Sequence, residues 1–325
     1  MKVKLISMTP NPIDVMWAAA RTCYSEKSPV EMWEDWQKLL DPDNEEVVCD
    51  FNEYKSMQDK HWNLVKKVLD SGHQSVAEHV YFTFAIEGIS RACSHQLVRH
   101  RAGIVFSQQS QRYVEIKEDI GELCHLSLEL QRDAKDKQDK TVATFEKTEE
   151  LLNKYFVMKD VIPETMEALL DDLITYKRYI EHGYKAEDAR SVLPNATKTN
   201  ITMSLNYREL IHICNLRLCT RAQLEIRQLF QAIKKEVEKV DERLASLLVP
   251  SCEIHGMCFE DKCCGRKPKV NEVKGAYKLL EGDDTILSGA DWEQLMESIS
   301  KPEVNDKLAK FMKSRIDLEI DKEDK

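Results

Sequence analysis

The chain has 325 residues, of which 42% are hydrophobic and 32% charged, and its formal net charge is −10 at pH 7. This composition indicates a soluble globular protein with room for one large domain or two modest ones. It contains no apolar run of about eighteen residues and no apolar N-terminal leader, which argues against a membrane span and a secretory signal. The acidic balance argues against general nucleic-acid binding, so we expect a cytoplasmic protein with an anionic small-molecule ligand.

The first predicted elements are a strand and a helix. The segment KVKLISMT alternates apolar and polar residues and predicts an edge strand. NPIDVMWAAARTCYS predicts a helix, with Asn11 as a candidate cap and Pro12 in the first turn. The charged stretch 25–57 is then expected to hold short helices and loop.

Three further elements follow before residue 101. DKHWNLVKKVLDSGH predicts a helix closed by Gly72, because glycine adopts the left-handed conformation that ends many helices. VYFTFAIEG is rich in β-branched and aromatic residues and predicts a strand. ISRACSHQLVRHR has the apolar spacing of a helix.

The second half of the chain predicts mainly helices. Residues 115–185 are expected to be largely helical, and EDARSVLPNATKTNITMSLN, which contains Pro194, is expected to be loop and strand. Residues 205–246 form one long helical pattern with a single apolar stripe. The stripe comprises Ile226, Leu229 or Phe230, Ile233, Val237 and Val240.

We expect one domain over residues 1–248 and a C-terminal extension of unknown role over 249–325, with a cysteine-containing loop followed by acidic helices. The chain has ten cysteines, which in an unexported protein are expected to be reduced thiols. Cys252, Cys258, Cys263 and Cys264 lie near His255, but their spacing departs from the paired pattern of zinc sites. A metal site and a reduced, loop-rich tail both remain open there, and no metal is predicted.

The stretch RHRAGIVFSQQSQRY, residues 99–113, concentrates hydrogen-bond donors. It contains three arginines, one histidine, three glutamines and two serines, and no acid. Gln96 and Arg99 lie three residues apart on the predicted helix and would share a face. Guanidinium groups bind phosphate in a bidentate manner, and amides and hydroxyls can recognise a pyrimidine edge and a ribose. A solvated basic face is the alternative, but the polar second half favours nucleotide binding.

A second cluster, GHQSVAEH, occupies residues 72–79. Its two histidines and one glutamate match no standard spacing of metal ligands. Such a His–Glu pair is most often structural, unless the fold brings it close to Arg99.

A third cluster lies on the predicted helix 205–246. At about 100° per residue, Asn206 and Arg217 fall within roughly 20° of each other, whereas Arg208, His212 and Asn215 lie on nearly the opposite side. A helix with two polar faces is usually exposed on one of them. The alternative is that it lies at a subunit interface and contributes to two sites.

Two common phosphate-binding loops are missing. No G-x-G-x-x-G follows a predicted strand, and the sequence contains no G-x-x-x-x-G-K-[ST]. A nucleotide bound by this chain would therefore be held by side chains.

Taken together, the three clusters resemble the flavin-dependent thymidylate synthases. The signature of that family is Arg-His-Arg, seven residues, then Ser, a small or polar residue and Arg. Here RHR is followed by eight residues, AGIVFSQQ, and then by SQR, so Ser110 aligns with the family serine. GHQSVAEH and ARSVLP…LNYREL…NLR match in order and approximate spacing. The resemblance covers roughly residues 1–245.

The resemblance implies ligand roles for individual residues. The implied FAD contacts are Ser75, Arg99, His100, Arg101, Gln108, Asn206, Arg208 and His212, with His73 and Glu78 shaping the flavin pocket. The implied dUMP contacts are Gln96, Arg99, Gln108, Gln109, Ser110, Gln111, Arg112, Arg190 and Arg217. Arg217 would be the catalytic residue, which polarises the pyrimidine and favours its N3-ionised form. Position 108 is often Glu in the family and is Gln here.

The implied reaction is the reductive methylation of dUMP to dTMP. Methylenetetrahydrofolate would supply the carbon, reduced FAD the hydride and NADPH the electrons for the flavin, with tetrahydrofolate released. The implied fold is α+β, with an antiparallel or mixed sheet flanked by long helices, in a homotetramer with shared active sites. The rival hypothesis is a non-catalytic nucleotide- or RNA-binding module that uses the same arginines.

Overall fold

The computed structural model describes residues 1–40, 51–136, 140–158 and 162–273. The chain divides into two compact units, Met1–Val249 and Pro250–Lys325. No helix in these described ranges is long and apolar enough to cross a membrane. The first unit combines one small antiparallel sheet with many helices, which confirms the predicted α+β class.

The sheet has four strands in the order β1-β2-β4-β3, and every neighbouring pair is antiparallel. The strands are β1 (Lys2–Met8), β2 (Tyr81–Ser90), β3 (Ile104–Gln108) and β4 (Lys198–Asn206). Phe82, Phe84 and Ile86 alternate along β2 and are buried, as the period of a strand requires. Strand β3 was not predicted, because it has only five residues and none of them is fully buried.

Helices account for most of the remaining described residues. They are α1 (Pro12–Thr22), α2 (Pro29–Leu40), α3 (Phe51–Asp70), α4 (Arg91–Leu97), α5 (Ile120–Asp136), α6 (Lys140–Tyr155), α7 (Pro163–Glu181), α8 (Ala186–Ala189), α9 (Tyr207–Arg217), α10 (Leu224–Glu238), α11 (Glu242–Ser246) and α12 (Ser251–His255). Two short 3₁₀ helices span Gln74–His79 and Arg190–Val192. The mainly helical character predicted for 115–185 is confirmed in the described ranges.

Two hydrophobic clusters hold the first unit together. The larger one joins the sheet to α1, α3, α9 and α10, and Ile226, Leu229 and Ile233 are among its fully buried residues. The smaller one lies between α5, α6 and α7. The predicted apolar stripe is confirmed within α10, but Val240 lies beyond the end of that helix and is exposed.

The single long helix predicted over 205–246 is wrong. Strand β4 continues through Asn206, whose backbone is extended, and Asn206 then caps α9 by accepting a hydrogen bond from Glu209 N–H at 2.8 Å. Helix α9 ends at Arg217, and α10 begins only at Leu224. The angle computed between Asn206 and Arg217 therefore has no structural meaning, because Asn206 is not a helical residue.

Three smaller predictions also need correction. Asn11 adopts φ 48° and makes no side-chain cap bond, although Pro12 does begin α1. Helix α3 starts at residue 51, eight residues earlier than expected, within the stretch assigned to short helices and loop. Helix α4 ends at Leu97, so Arg99 lies in the following turn and shares no helix face with Gln96.

The described part of the second unit is short. Cys258 is buried and pairs through its backbone with Lys269, and burial is the main cause that raises the pKa of its thiol. Within the described residues, no group of three or more His, Cys, Asp or Glu side chains is placed to hold a metal ion. The acidic helices predicted near the C-terminus fall on residues beyond 273, outside the described part of the chain.

Candidate active site

Helix α4 is fixed at its start by a buried carboxylate. Ser90 Oγ accepts a hydrogen bond from Cys93 N–H at 2.9 Å and caps the helix. Glu225 of α10 accepts hydrogen bonds from both the backbone N–H and the hydroxyl of Ser90, each at 2.6 Å. Because Glu225 is only 4% exposed, these charge-assisted bonds tie α4 firmly to α10.

The turn after α4, residues 98–103, is called the arginine turn here. Arg99 and Arg101 are exposed, and neither forms an ion pair with any residue that the structure describes. Gln96, one turn earlier, is half-buried and donates from Nε2 to Gln223 Oε1 at 3.3 Å. The turn thus presents two cations that no described residue compensates through an ion pair.

His100 lies between the two exposed arginines but is itself buried. Its Nε2 accepts a hydrogen bond from Arg217 Nε–H at 3.1 Å, and its Nδ1 lies 3.9 Å from Glu209 Oε1. Burial, followed by the neighbouring charges of Arg217 and His212, lowers the pKa of His100 to about 4. The ring is therefore neutral at pH 7 and acts as a hydrogen-bond acceptor for Arg217.

Gly103 closes the arginine turn against the start of α9. It adopts φ 62°, and its carbonyl accepts a hydrogen bond from Asn206 N–H at 3.0 Å. A Cβ at this position would lie 2.1 Å from Asn206 Nδ2, which is held in place because the same side chain caps α9. Only glycine fits this contact.

We expect Gly103→Ala to lower the free energy of unfolding by about 2–3 kcal/mol, the sum of left-handed strain and a displaced cap. The variant should also displace Arg99 and Arg101, because the turn that carries them has to move. Gly183→Ala, at another positive-φ glycine with open space around it, is the control for the strain alone. Thermal midpoints that are equal for the two variants would contradict the role of the Asn206 contact.

The second predicted cluster lies beside α9. Arg208 Nη1 donates to Glu78 Oε1, so the 3₁₀ helix Gln74–His79 is tied to the first turn of α9. His73, Ser75 and His212 are exposed. The GHQSVAEH cluster is therefore joined to α9 by this ion pair, a contact that was not predicted from the sequence.

The three residues that follow β3 line a cavity. Gln109, Ser110 and Gln111 line a cavity of about 370 Å³ together with Asn200 of β4 and Tyr155 of α6. Asn200 Nδ2 donates to Gln109 Oε1 at 3.0 Å. Gln108 is half-buried, and its Nε2 donates to Ser94 Oγ at 3.0 Å and to Thr199 Oγ1 at 3.1 Å, so its amide nitrogen is already engaged within the fold.

Arg112 and Arg190 both bond to Glu187, a residue that the sequence did not single out. Arg112 Nε donates to Glu187 Oε2 at 2.8 Å, and Arg190 Nε donates to the Glu187 carbonyl at 3.1 Å. Arg91 lies nearby, and burial, together with the Arg190 charge, lowers its pKa. Arg112 is therefore compensated by an acid, whereas the opposing cations Arg91 and Arg190 form a place where an anion is favoured.

The predicted ligand residues thus form two groups at opposite ends of β3. Arg99, His100 and Arg101 precede Ile104 in the chain, and Arg217 bonds to His100. Gln109 to Arg112 follow Gln108, and Arg190 shares the partner Glu187 with Arg112. Among the described residues, no hydrogen bond or ion pair joins one group to the other.

Comparison with known proteins shows where the chain belongs. The family model described as thymidylate synthase complementing protein matches residues 4–241. A flavin-dependent thymidylate synthase from Clostridium tetani is 36% identical over 281 residues, covering 84% of this chain and 96% of that protein. One from Geobacter sulfurreducens is 37% identical over 281 residues, covering 86% of this chain and 99% of that protein.

Solved structures show the same fold. A flavin-dependent thymidylate synthase from Helicobacter pylori, crystallised with FAD and dUMP, superposes with a TM-score of 0.52 at 23% identity. The match covers 77% of this chain and 100% of that structure. The fold, the three motifs in order and the identity over most of the chain agree, and the chain belongs to the flavin-dependent thymidylate synthase family.

Proposed function

We propose that this protein converts dUMP to dTMP, with methylenetetrahydrofolate as carbon donor, FAD as cofactor and NADPH as reductant, releasing tetrahydrofolate. The observation that carries the proposal is the Arg217 guanidinium, which bonds to neutral His100 in the turn that carries Arg99 and Arg101, two arginines without an ion pair among the described residues. No feature of the site favours the rival nucleotide- or RNA-binding module over the enzyme.

The donors around the arginine turn suit a flavin dinucleotide. Two exposed guanidinium groups match the charge and the bidentate geometry of a diphosphate. Arg208, fixed by Glu78, and the exposed His73, Ser75 and His212 would flank the same ligand. Asn206 is committed to capping α9, so its role would be to shape the pocket. When bound, FAD supplies the hydride chemistry, and the protein residues orient the reactants.

Arg217 is the proposed catalytic residue. Its Nε is used by His100, which leaves both terminal nitrogens of the guanidinium to donate to a pyrimidine carbonyl. A positive charge held there stabilises negative charge that develops on the ring during the reaction. Charge-assisted bonds from Arg99, together with Gln96, would orient the same substrate.

The separation of the two ligand groups supports a shared active site. Arg217 bonds to His100, before β3, whereas Arg190 bonds to Glu187, which is also the partner of Arg112, after β3. We therefore propose a homotetramer in which Gln109, Ser110, Gln111, Arg112 and Arg190 of one subunit complete a dUMP site begun by another. Gel filtration with light scattering would test this, and an active monomer would contradict it.

The remaining assignments concern the chain as a whole. We propose that residues 1–248 form the catalytic domain and 249–325 an extension, and that the enzyme works in the cytoplasm without nucleic-acid or membrane partners.

Absorbance near 450 nm in the purified protein tests the FAD assignment, and titration with dUMP tests the substrate assignment independently. A colourless protein that cannot be loaded with FAD would contradict the proposal.

Arg99→Ala is expected to weaken both FAD retention and dUMP binding, because one guanidinium is assigned to both ligands. The loss of a charge-assisted hydrogen bond corresponds to about 1.5–3 kcal/mol for each ligand. Arg101→Ala should weaken FAD alone and is the matched comparison from the same turn. Equilibrium titration of each ligand gives the answer, and an effect on dUMP alone would remove Arg99 from the flavin site.

A further inference from the structure

The two ring nitrogens of His100 have different partners. Nε2 faces the Nε–H of Arg217 at 3.1 Å, and an arginine has no acceptor, so Nε2 carries no proton. In a neutral imidazole the proton must then lie on Nδ1. His100 is 8% exposed, which favours this neutral form over the imidazolium.

The Nδ1 side of His100 faces Glu209, which lies within the LNYREL motif but is not among the implied or proposed ligand contacts. Glu209 Oε1 lies 3.9 Å from Nδ1, and the residue is only 7% exposed. Its backbone N–H donates to Asn206 Oδ1 at 2.8 Å, which fixes Glu209 in the first turn of α9. His212 and Arg217 are the other charged or titratable groups that act on His100.

We propose that Glu209 is a positioning residue that holds His100 in its Nδ1–H tautomer, so that His100 in turn fixes Arg217. The partner of one ring nitrogen decides which nitrogen carries the proton. Without Glu209, the ring could turn its N–H towards the Arg217 guanidinium, which would repel it. This inference rests on the proposed function only in assigning Arg217 to the pyrimidine.

A purely structural role for Glu209 is the alternative, because an acid in the first turn of a helix is stabilised by the helix dipole. The two roles differ in their pH dependence. Burial is the main cause that raises the pKa of Glu209, while His212 and Arg208 oppose the shift. As the pH falls, Glu209 is therefore protonated before His100 is, and a positioning role predicts that activity falls with it.

Glu209→Gln keeps the shape of the side chain but removes its charge. We expect kcat to fall about tenfold, because the nearby negative charge that favours the proton on Nδ1 of His100 is lost. The KM for dUMP, the dUMP affinity measured through the flavin absorbance, and the flavin content should stay within about threefold of the parent. The thermal midpoint should stay within a few degrees of the parent. The acid limb of kcat, which the parent should show above the ordinary carboxyl value, should move down to the protonation of His100, whose pKa is about 4.

Glu236→Gln is the matched control, because Glu236 is another buried glutamate. It accepts a hydrogen bond from the backbone N–H of Leu5 and forms an ion pair with Lys239. It should leave the pH profile of kcat unchanged. The inference is overturned if Glu209→Gln keeps the parental kcat and acid limb, or loses activity only in step with flavin content and stability. Absence of that limb in the parent enzyme also overturns it, and this measurement needs no variant.

The failure of this inference can be distinguished from failure of the proposed function. If Arg217→Ala is inactive and Glu209→Gln behaves like the parent, only the positioning role of Glu209 is contradicted. An Arg217→Ala variant with parental turnover removes the assignment of Arg217 itself.

Discussion

Arg217→Ala is expected to reduce dTMP formation at least a hundredfold while flavin remains bound. Removing one preorganised donor from developing charge costs about 3 kcal/mol of transition-state stabilisation, which corresponds to this factor. The side chain is half-buried and bonded to His100, so it is held in one orientation before substrate arrives. Steady-state rates of dTMP formation, with flavin content measured by absorbance, would test the expectation.

Two matched variants separate charge from geometry. Arg217→Lys keeps the positive charge but loses the Nε–H that bonds to His100, so we expect an intermediate loss. Arg178→Ala removes an exposed arginine from α7 and should be close to the parent. Parental turnover in Arg217→Ala would show that this guanidinium does not act on the pyrimidine.

Glu225→Ala is expected to lower the free energy of unfolding by about 3–5 kcal/mol, the largest stability effect expected here. The substitution leaves the N–H and hydroxyl of Ser90 without their acceptor in a buried environment, and it opens a cavity between α4 and α10. Thermal midpoints and denaturant titrations of the FAD-free chains would measure the loss without a contribution from the ligand.

The controls for this prediction lie on the same helix. Glu225→Gln keeps one acceptor oxygen for Ser90 and should lose less than half as much stability. Glu238→Ala removes an exposed glutamate from the end of α10 and should stay within about 0.5 kcal/mol of the parent. If Glu225→Ala were as stable as Glu238→Ala, the link between α4 and α10 would not stabilise the fold.

The elements that could be predicted from the sequence are those with strong local patterns. The apolar alternation of β2 and the stripe of α10 match the periods of a strand and a helix, and both elements are present. Strand β3 could not be predicted, because it is short and half-buried and its position is set by pairing with β4. The boundary at Asn206 was missed because β4 runs directly into α9, with no turn residues between the strand and the helix.

The candidate site was predictable where its residues are neighbours in sequence. The donors of residues 99–113 form a visible local cluster, and the family resemblance implies a catalytic role for Arg217. The partners that orient these donors come from remote segments: Arg217 reaches His100 across 117 positions, and Arg112 reaches Glu187 across 75. Glu187 and Arg91 have no local signal, because only the fold brings them to the site. Glu209 lies in the LNYREL motif, but the sequence assigned it no role.

The central claim is that this protein uses flavin chemistry to make dTMP from dUMP. The most direct test is an anaerobic reaction of the FAD-loaded protein with dUMP, methylenetetrahydrofolate and NADPH, in which dTMP and tetrahydrofolate are both quantified. We expect one tetrahydrofolate for each dTMP, and no dTMP when FAD, the folate or NADPH is omitted. A folded, FAD-loaded protein that binds dUMP but forms no dTMP under these conditions would contradict the account.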